Sequence, residues 1–105
     1  MNLTDQNFNE EIKKADKPVL IDFYATWCGP CQVLGPMLEN IGEEMKDQVI
    51  VTKCDVDNFP QTSSKFNIDR IPNVILFKNG EPVDSFVGLM PAEQIKNWLN
   101  NALKK

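Results

Sequence analysis

Residues 18–25, PVLIDFYA, are nearly all apolar or aromatic. A run of this length and kind reads as a β-strand covered on both faces. Five residues later Pro30 suits the first position of a helix. From there Val33, Leu34, Met37, Leu38, Ile41 and Met45 recur at helical spacing. Pro36, inside this pattern, has no amide proton for the carbonyl four residues back, which predicts a kink. Residues 48–56, QVIVTKCDV, read as a second buried strand. Strand, long helix and strand form a parallel, right-handed crossover. That unit demands a sheet with helices packed against it.

The rest of the chain extends this unit. Thr4 or Asp5 is positioned to cap a first helix carrying Phe8, Ile12 and Ala15, and Lys17-Pro18 ends it. A short polar helix runs from Asn58-Phe59-Pro60 to about Phe66. Residues 73–78, NVILFK, form a third strand. Asn79-Gly80 is a two-residue hairpin signal, so residues 82–87 return antiparallel. Pro91 opens a last helix whose Ile95, Trp98, Leu99, Ala102 and Leu103 share one face. A short strand near residues 1–4 would make five. The expected architecture is α/β: one domain over residues 1–105, with a mixed sheet of four to five strands and four helices on its two sides.

With 105 residues, 42% of them hydrophobic, one modest core is within reach. A net charge of −4 offers no basic stripe for nucleic acid and no basic anchor for anionic membranes. No apolar run is long enough to span a bilayer. The start, MNLTD, lacks the basic and apolar regions of a signal peptide.

The chain has three cysteines and no histidine. Cys28 and Cys31 stand two residues apart in Trp27-Cys28-Gly29-Pro30-Cys31, where the first long strand meets its helix. As a staple the pair closes a very short loop, worth roughly 2 kcal/mol in the chain-entropy model. As a metal site it supplies two of the three or four ligands that zinc or iron requires. As a redox pair it is well placed. Cys28 lies at the helix N-terminus, where unpaired amides and the helix dipole favour a thiolate. Cys31, about one turn in, is placed to attack a mixed disulfide formed on Cys28. Gly29 leaves room for a partner chain and Pro30 stiffens the loop. Cys54 reads as a small core residue, its thiol unreactive through burial.

Asp22 interrupts the first strand on the face of Leu20 and Tyr24. Burial there should raise its pKa, whether it is a structural carboxyl or a proton acceptor. Lys53, in the second strand, reads either as a lysine snorkelling to the sheet edge or as a charge partner of Asp22.

DFYATWCGPC resembles the active-site segment of the thioredoxin family. RIPNVILFKNG resembles that family's Ile-Pro strand and hairpin. FVGLMPAEQIKNWL resembles its last strand, glycine turn and C-terminal helix. The likeness covers nearly the whole chain. It implies the thioredoxin fold, a three-layer α/β/α sandwich, and protein-disulfide reduction with Cys28 as nucleophile and Cys31 as resolving thiol. It also implies Asp22 as a buried proton acceptor for Cys31, a lesser catalytic role for Lys53, and a cis bond between Ile71 and Pro72. Trp27, Gly29, Pro30, Ile71, Pro72, Val87, Gly88 and Leu89 would then form the substrate-docking surface, with the Ile71 backbone pairing with an extended segment.

The implied partners are disulfide-containing protein substrates and a thioredoxin reductase as electron donor. No metal or organic cofactor is expected, the dithiol being the redox centre. A cytoplasmic monomer is the expected form. A disulfide oxidase or isomerase, and a binding module that keeps its cysteines, are the alternatives. The sequence departs from the family's common residues at Gln32, Asn73, Arg70 and Met90. Gln32, where many members carry lysine, removes a cation near Cys28.

Overall fold

In the computed structural model, which describes residues 3–105, elements alternate in the expected order. They are α1 (Phe8–Lys14), β1 (Val19–Tyr24), α2 (Gly29–Glu44), β2 (Ile50–Asp55), α3 (Pro60–Lys65), β3 (Asn73–Lys78), β4 (Glu81–Val87) and α4 (Ala92–Leu103). The sheet order is β2-β1-β3-β4. β1 pairs parallel with β2 and antiparallel with β3, and β3 pairs antiparallel with β4. The strand expected near residues 1–4 falls partly outside the described residues, and Leu3 and Thr4 belong to no strand.

Alternation along the central strands builds two cores. Leu20, Val74 and Leu76 face α2 and α4, meeting Leu34, Leu38, Ile41, Ile95 and Leu99. Val19, Ile21, Phe23, Ile75 and Phe77 face the other way, toward Phe8 and Ile12 of α1 and the Phe66 ring after α3. Side chains of period two on a two-sided strand force this division. The result is three layers, with β1 buried between them.

Three sequence expectations change. β2 is not a buried strand: it is a sheet edge, and Cys54 alone among its residues is fully buried. The crossover carries it to the outside of β1, where only one side is hydrogen-bonded and helices reach it partially. Val33 is not a core residue: it is 53% exposed on the flank of α2. α2 starts one residue earlier than Pro30, with Cys28 as N-cap, and Pro36 lies inside it.

The edges are shielded. β4 carries Pro82 and a register shift opposite Leu76/Phe77, and β2 carries Lys53. The hairpin between β3 and β4 turns at Asn79 and Gly80, both with positive φ, as a two-residue primed turn requires.

α2 lies very close to β2 at Gly42. A Cβ there would stand 2.8 Å from Cγ2 of Val51. Gly42→Ala should therefore destabilise the protein by roughly 1–3 kcal/mol through overpacking. In the background of Val51→Ala the same change should cost clearly less. Guanidinium unfolding of the four proteins in a double-mutant cycle reads this coupling; additive losses would contradict the contact.

Candidate redox site

β1 ends at Tyr24, and the chain turns through Ala25, Thr26 and Trp27 into the cysteine pair. The Cys28 amide donates to the Ala25 carbonyl at 3.2 Å, which closes that turn. Cys28 then caps α2, its Sγ accepting the Cys31 amide at 3.3 Å. Sulfur stands here where an oxygen-bearing side chain is more usual. Cys28 and Cys31 are joined as a disulfide, with Cα atoms 5.3 Å apart. Both are nearly buried and, with Ala25, form a small cluster packed by Tyr24, Val56 and Ile71. Gly29 and Pro30 are exposed above them.

Ile71 opens the second wall. The Ile71–Pro72 bond is cis, and Pro72 is buried. The Gly88 amide donates to the Pro72 carbonyl at 2.8 Å, adding one step to the β3–β4 ladder. Gly88 adopts φ +93°, open to glycine and strained for other residues. Val87 and Leu89 flank it, about half exposed. Trp27 is 71% exposed, yet its ring is tethered: Nε1 donates to Oδ2 of Asp57 at 3.1 Å.

Beneath the disulfide a cleft of about 420 Å³ runs between α2 and the sheet. It is lined by Asp22, Tyr24, Cys31, Gln32, Gly35, Glu39 and Lys53, among others. Asp22 is 3% exposed, on the face of Leu20 as strand alternation requires. Its Oδ1 has no hydrogen-bond partner. Burial pushes its carboxyl up to about 6, and the Lys53 ammonium pulls partway back. Lys53 is opposite Asp22 in the β1–β2 register. It is exposed at the edge, with Nζ 5.3 Å from the centre of the Tyr24 ring. The lysine thus reaches solvent while its charge still acts on Asp22.

Every candidate residue from the sequence thus falls within one end of the molecule, around the C-terminal edge of β1 and the neighbouring loops. Two features were not anticipated. Asp57 lies in the turn after β2, where its own amide is held by Oδ1 of Asp55 at 3.0 Å. Only the crossover brings it to Trp27, so no local pattern could reveal it. Gln32, anticipated as a missing cation, also donates from Nε2 to the Thr26 carbonyl at 2.8 Å, bridging the two ends of the loop.

Cys54 is fully buried, and burial, reinforced by the Asp5 and Asp22 charges, pushes its thiol up to about 12. Among the described residues no cluster of three or more His, Cys, Asp or Glu could hold a metal ion. No helix there is long and apolar enough to cross a membrane.

Two outcomes follow from these environments. Between the ordinary carboxylate value of 3.8 and about 6, the folded protein holds more protons on Asp22 than the unfolded chain does. Stability should therefore fall as pH rises through that window, by about 3 kcal/mol at most. Oxidised Asp22→Asn should be the more stable protein at pH 8 and lose that advantage at pH 4, in guanidinium unfolding. For Cys54, thiol titration of the reduced native protein should count Cys28 and Cys31 only, with the third thiol reacting after denaturation.

The sequence profile of the thioredoxin family, described as Thioredoxin, matches residues 1–101. A thioredoxin of Alicyclobacillus acidocaldarius subsp. acidocaldarius is 48% identical over 104 residues, covering 99% of this chain and 98% of the relative. A thioredoxin of Rickettsia bellii (strain RML369-C) is 46% identical over 100 residues, 95% of each chain. Thioredoxin Y2, chloroplastic, of Arabidopsis thaliana is 43% identical over 101 residues, 96% of this chain and 60% of that protein.

Proposed function

The chain belongs to the thioredoxin family and is a protein-disulfide oxidoreductase; on that footing we propose that it works as a general reductant of protein disulfides. The observation that carries the proposal is the shared cleft. It joins Cys31, the disulfide partner of the helix-capping Cys28, to a buried, proton-hungry Asp22.

In the reduced protein the Cys28 thiolate is favoured by the amide and dipole of the α2 N-terminus. Its Sγ attacks one sulfur of a substrate disulfide. A Cys28–substrate bond forms, the substrate bond breaks, and one substrate thiolate departs and takes a proton from solvent. Asp22 then accepts the Cys31 proton, directly or through one water. The Cys31 thiolate attacks Sγ of Cys28, the mixed disulfide breaks, and the second substrate sulfur leaves with its electron pair. The substrate gains two electrons and two protons. The protein ends as the Cys28–Cys31 disulfide, the state described above.

Lys53 tunes this step by holding down the Asp22 pKa. Trp27, Gly29, Pro30, Ile71, Pro72, Val87, Gly88 and Leu89 form the docking surface. The backbone of Ile71 takes an extended substrate segment in strand-like pairing. A thioredoxin reductase returns the electrons. No metal or organic cofactor enters the cycle. We place the protein in the cytoplasm, as a monomer of one domain over residues 1–105. The unpaired Cys54 suits a reducing compartment.

Cys31→Ser should accumulate a mixed disulfide through Cys28 with a protein substrate, visible by non-reducing electrophoresis and mass spectrometry. Cys28→Ser should accumulate none. Asp22→Asn should slow resolution of the mixed disulfide by about 10²-fold while leaving its formation nearly unchanged, in stopped-flow single turnover. Equal loss in both steps would contradict the assigned role.

A further inference from the structure

Gln32 is bound to the cysteine-bearing loop at two points. Its backbone amide donates to the Cys28 carbonyl at 3.3 Å, in the first turn of α2. Its side-chain Nε2 donates to the Thr26 carbonyl at 2.8 Å. This second bond ties the helix to the chain six residues earlier and encloses Trp27, Cys28, Gly29, Pro30 and Cys31. The two cysteines stand on opposite sides of that joint. Cys31 belongs to α2 and moves with it. Cys28 is the N-cap, in extended backbone, at the end of the turn that starts at Ala25. The Gln32 side chain thus fastens the turn that carries Cys28 to the helix that carries Cys31. Gln32 and Thr26 are both exposed, and a hydrogen bond between exposed groups contributes only modestly to folding. Its consequence lies in the cysteine pair.

We propose that Gln32 is a positioning residue of the redox cycle, holding Cys28 within reach of Cys31 whenever the bond between them is open. The inference rests on the reductase reading and adds to it a residue that sets the rate of the second exchange. The Gln32 bond and the Cys28–Cys31 bond constrain the same loop, so each removes conformational freedom that the other would otherwise have to remove. Such support is reciprocal. The tether therefore stabilises the oxidised protein more than the reduced one, which favours the protein as an electron donor. In the mixed disulfide it raises the effective concentration of Cys31 at Cys28. Sγ of Cys31 bonds to Sγ of Cys28, the Cys28–substrate bond breaks, and the substrate sulfur leaves with its electron pair. A cation at position 32 would act the other way, stabilising the Cys28 thiolate and hence the reduced protein. Gln32 supplies a neutral donor, so it holds the loop without that charge.

The test uses the full-length protein with Gln32→Met and Gln32→Lys. Methionine keeps the length and removes the donor; lysine keeps a donor and adds a charge. Equilibration with dithiothreitol reads the stability of the disulfide. Stopped-flow single turnover on a disulfide-linked peptide reads formation and resolution of the mixed disulfide separately. Gln32→Met should weaken the disulfide equilibrium about fivefold, a rise in potential of about 20 mV. It should also slow resolution about fivefold and leave formation within about twofold of wild type. Neither effect should change at about 1 M salt, where charges are screened within about 3 Å. At that salt Gln32→Lys should approach wild type in both readings. An unchanged equilibrium or an unchanged resolution rate in Gln32→Met would overturn the proposal. The bond would then be structural only, its loss lowering the stability of both redox forms alike in guanidinium unfolding. Equal slowing of formation and resolution would also contradict it, as would a lysine variant that matches methionine at high salt. A wild-type protein that reduces no peptide would end the reductase reading, while the dithiothreitol equilibrium would still decide the tether.

Discussion

A sulfur atom caps α2. The Cys28 side chain accepts the Cys31 amide, so the group that satisfies the helix N-terminus is also the group that does the chemistry. Everything around it serves to hold that end of the helix in place. β1, buried between two helical layers, delivers the chain to the cap. The Ala25 carbonyl fixes the Cys28 amide, the Gln32 side chain bridges back to Thr26, and Asp57 holds the Trp27 ring. An oxygen cap would satisfy the helix equally well. A sulfur cap gives an atom that the helix dipole stabilises as an anion and that exchanges electrons by changing partner.

Asp22 shows the opposite economy. A carboxylate in the centre of a sheet, with one oxygen unpartnered, lowers stability at neutral pH. Hydrophobic replacement would relieve the cost. In the proposed mechanism its position under Cys31, facing the same cleft, gives the cost a use: a base whose pKa sits near neutrality takes and returns a proton readily. Lys53 moderates the penalty from the edge strand without ending it, because its ammonium stays in solvent. Function and stability thus compete at one side chain, and the central strand carries the burden.

The element order was legible in the sequence because each segment carried its own period: buried runs for β1 and β3, helical spacing for α2 and α4, Asn79-Gly80 for the hairpin. Edge or centre was not legible. QVIVTKCDV is as apolar as a central strand, and only the crossover sends β2 to the rim. Val33 misled for a related reason, since spacing reports a helix face but not what that face meets. In the site, Cys28, Cys31 and Asp22 were legible from chemistry placed against pattern. The proposed docking residues and the cis bond came from family resemblance. Asp57 was out of reach because its contact with Trp27 spans thirty residues and exists only in the folded chain.

The measurement that bears most directly on this account is the reduction potential of the Cys28–Cys31 pair. Equilibration in dithiothreitol buffers, followed by Trp27 fluorescence, gives it. The reference values are about −270 mV for thioredoxin itself and about −120 mV for a strong disulfide oxidant. A capping thiolate, with Gln32 in place of a cation and a buried carboxylate beneath, should place the pair near the first value. A potential near the second would contradict the reductant and make this fold an oxidant.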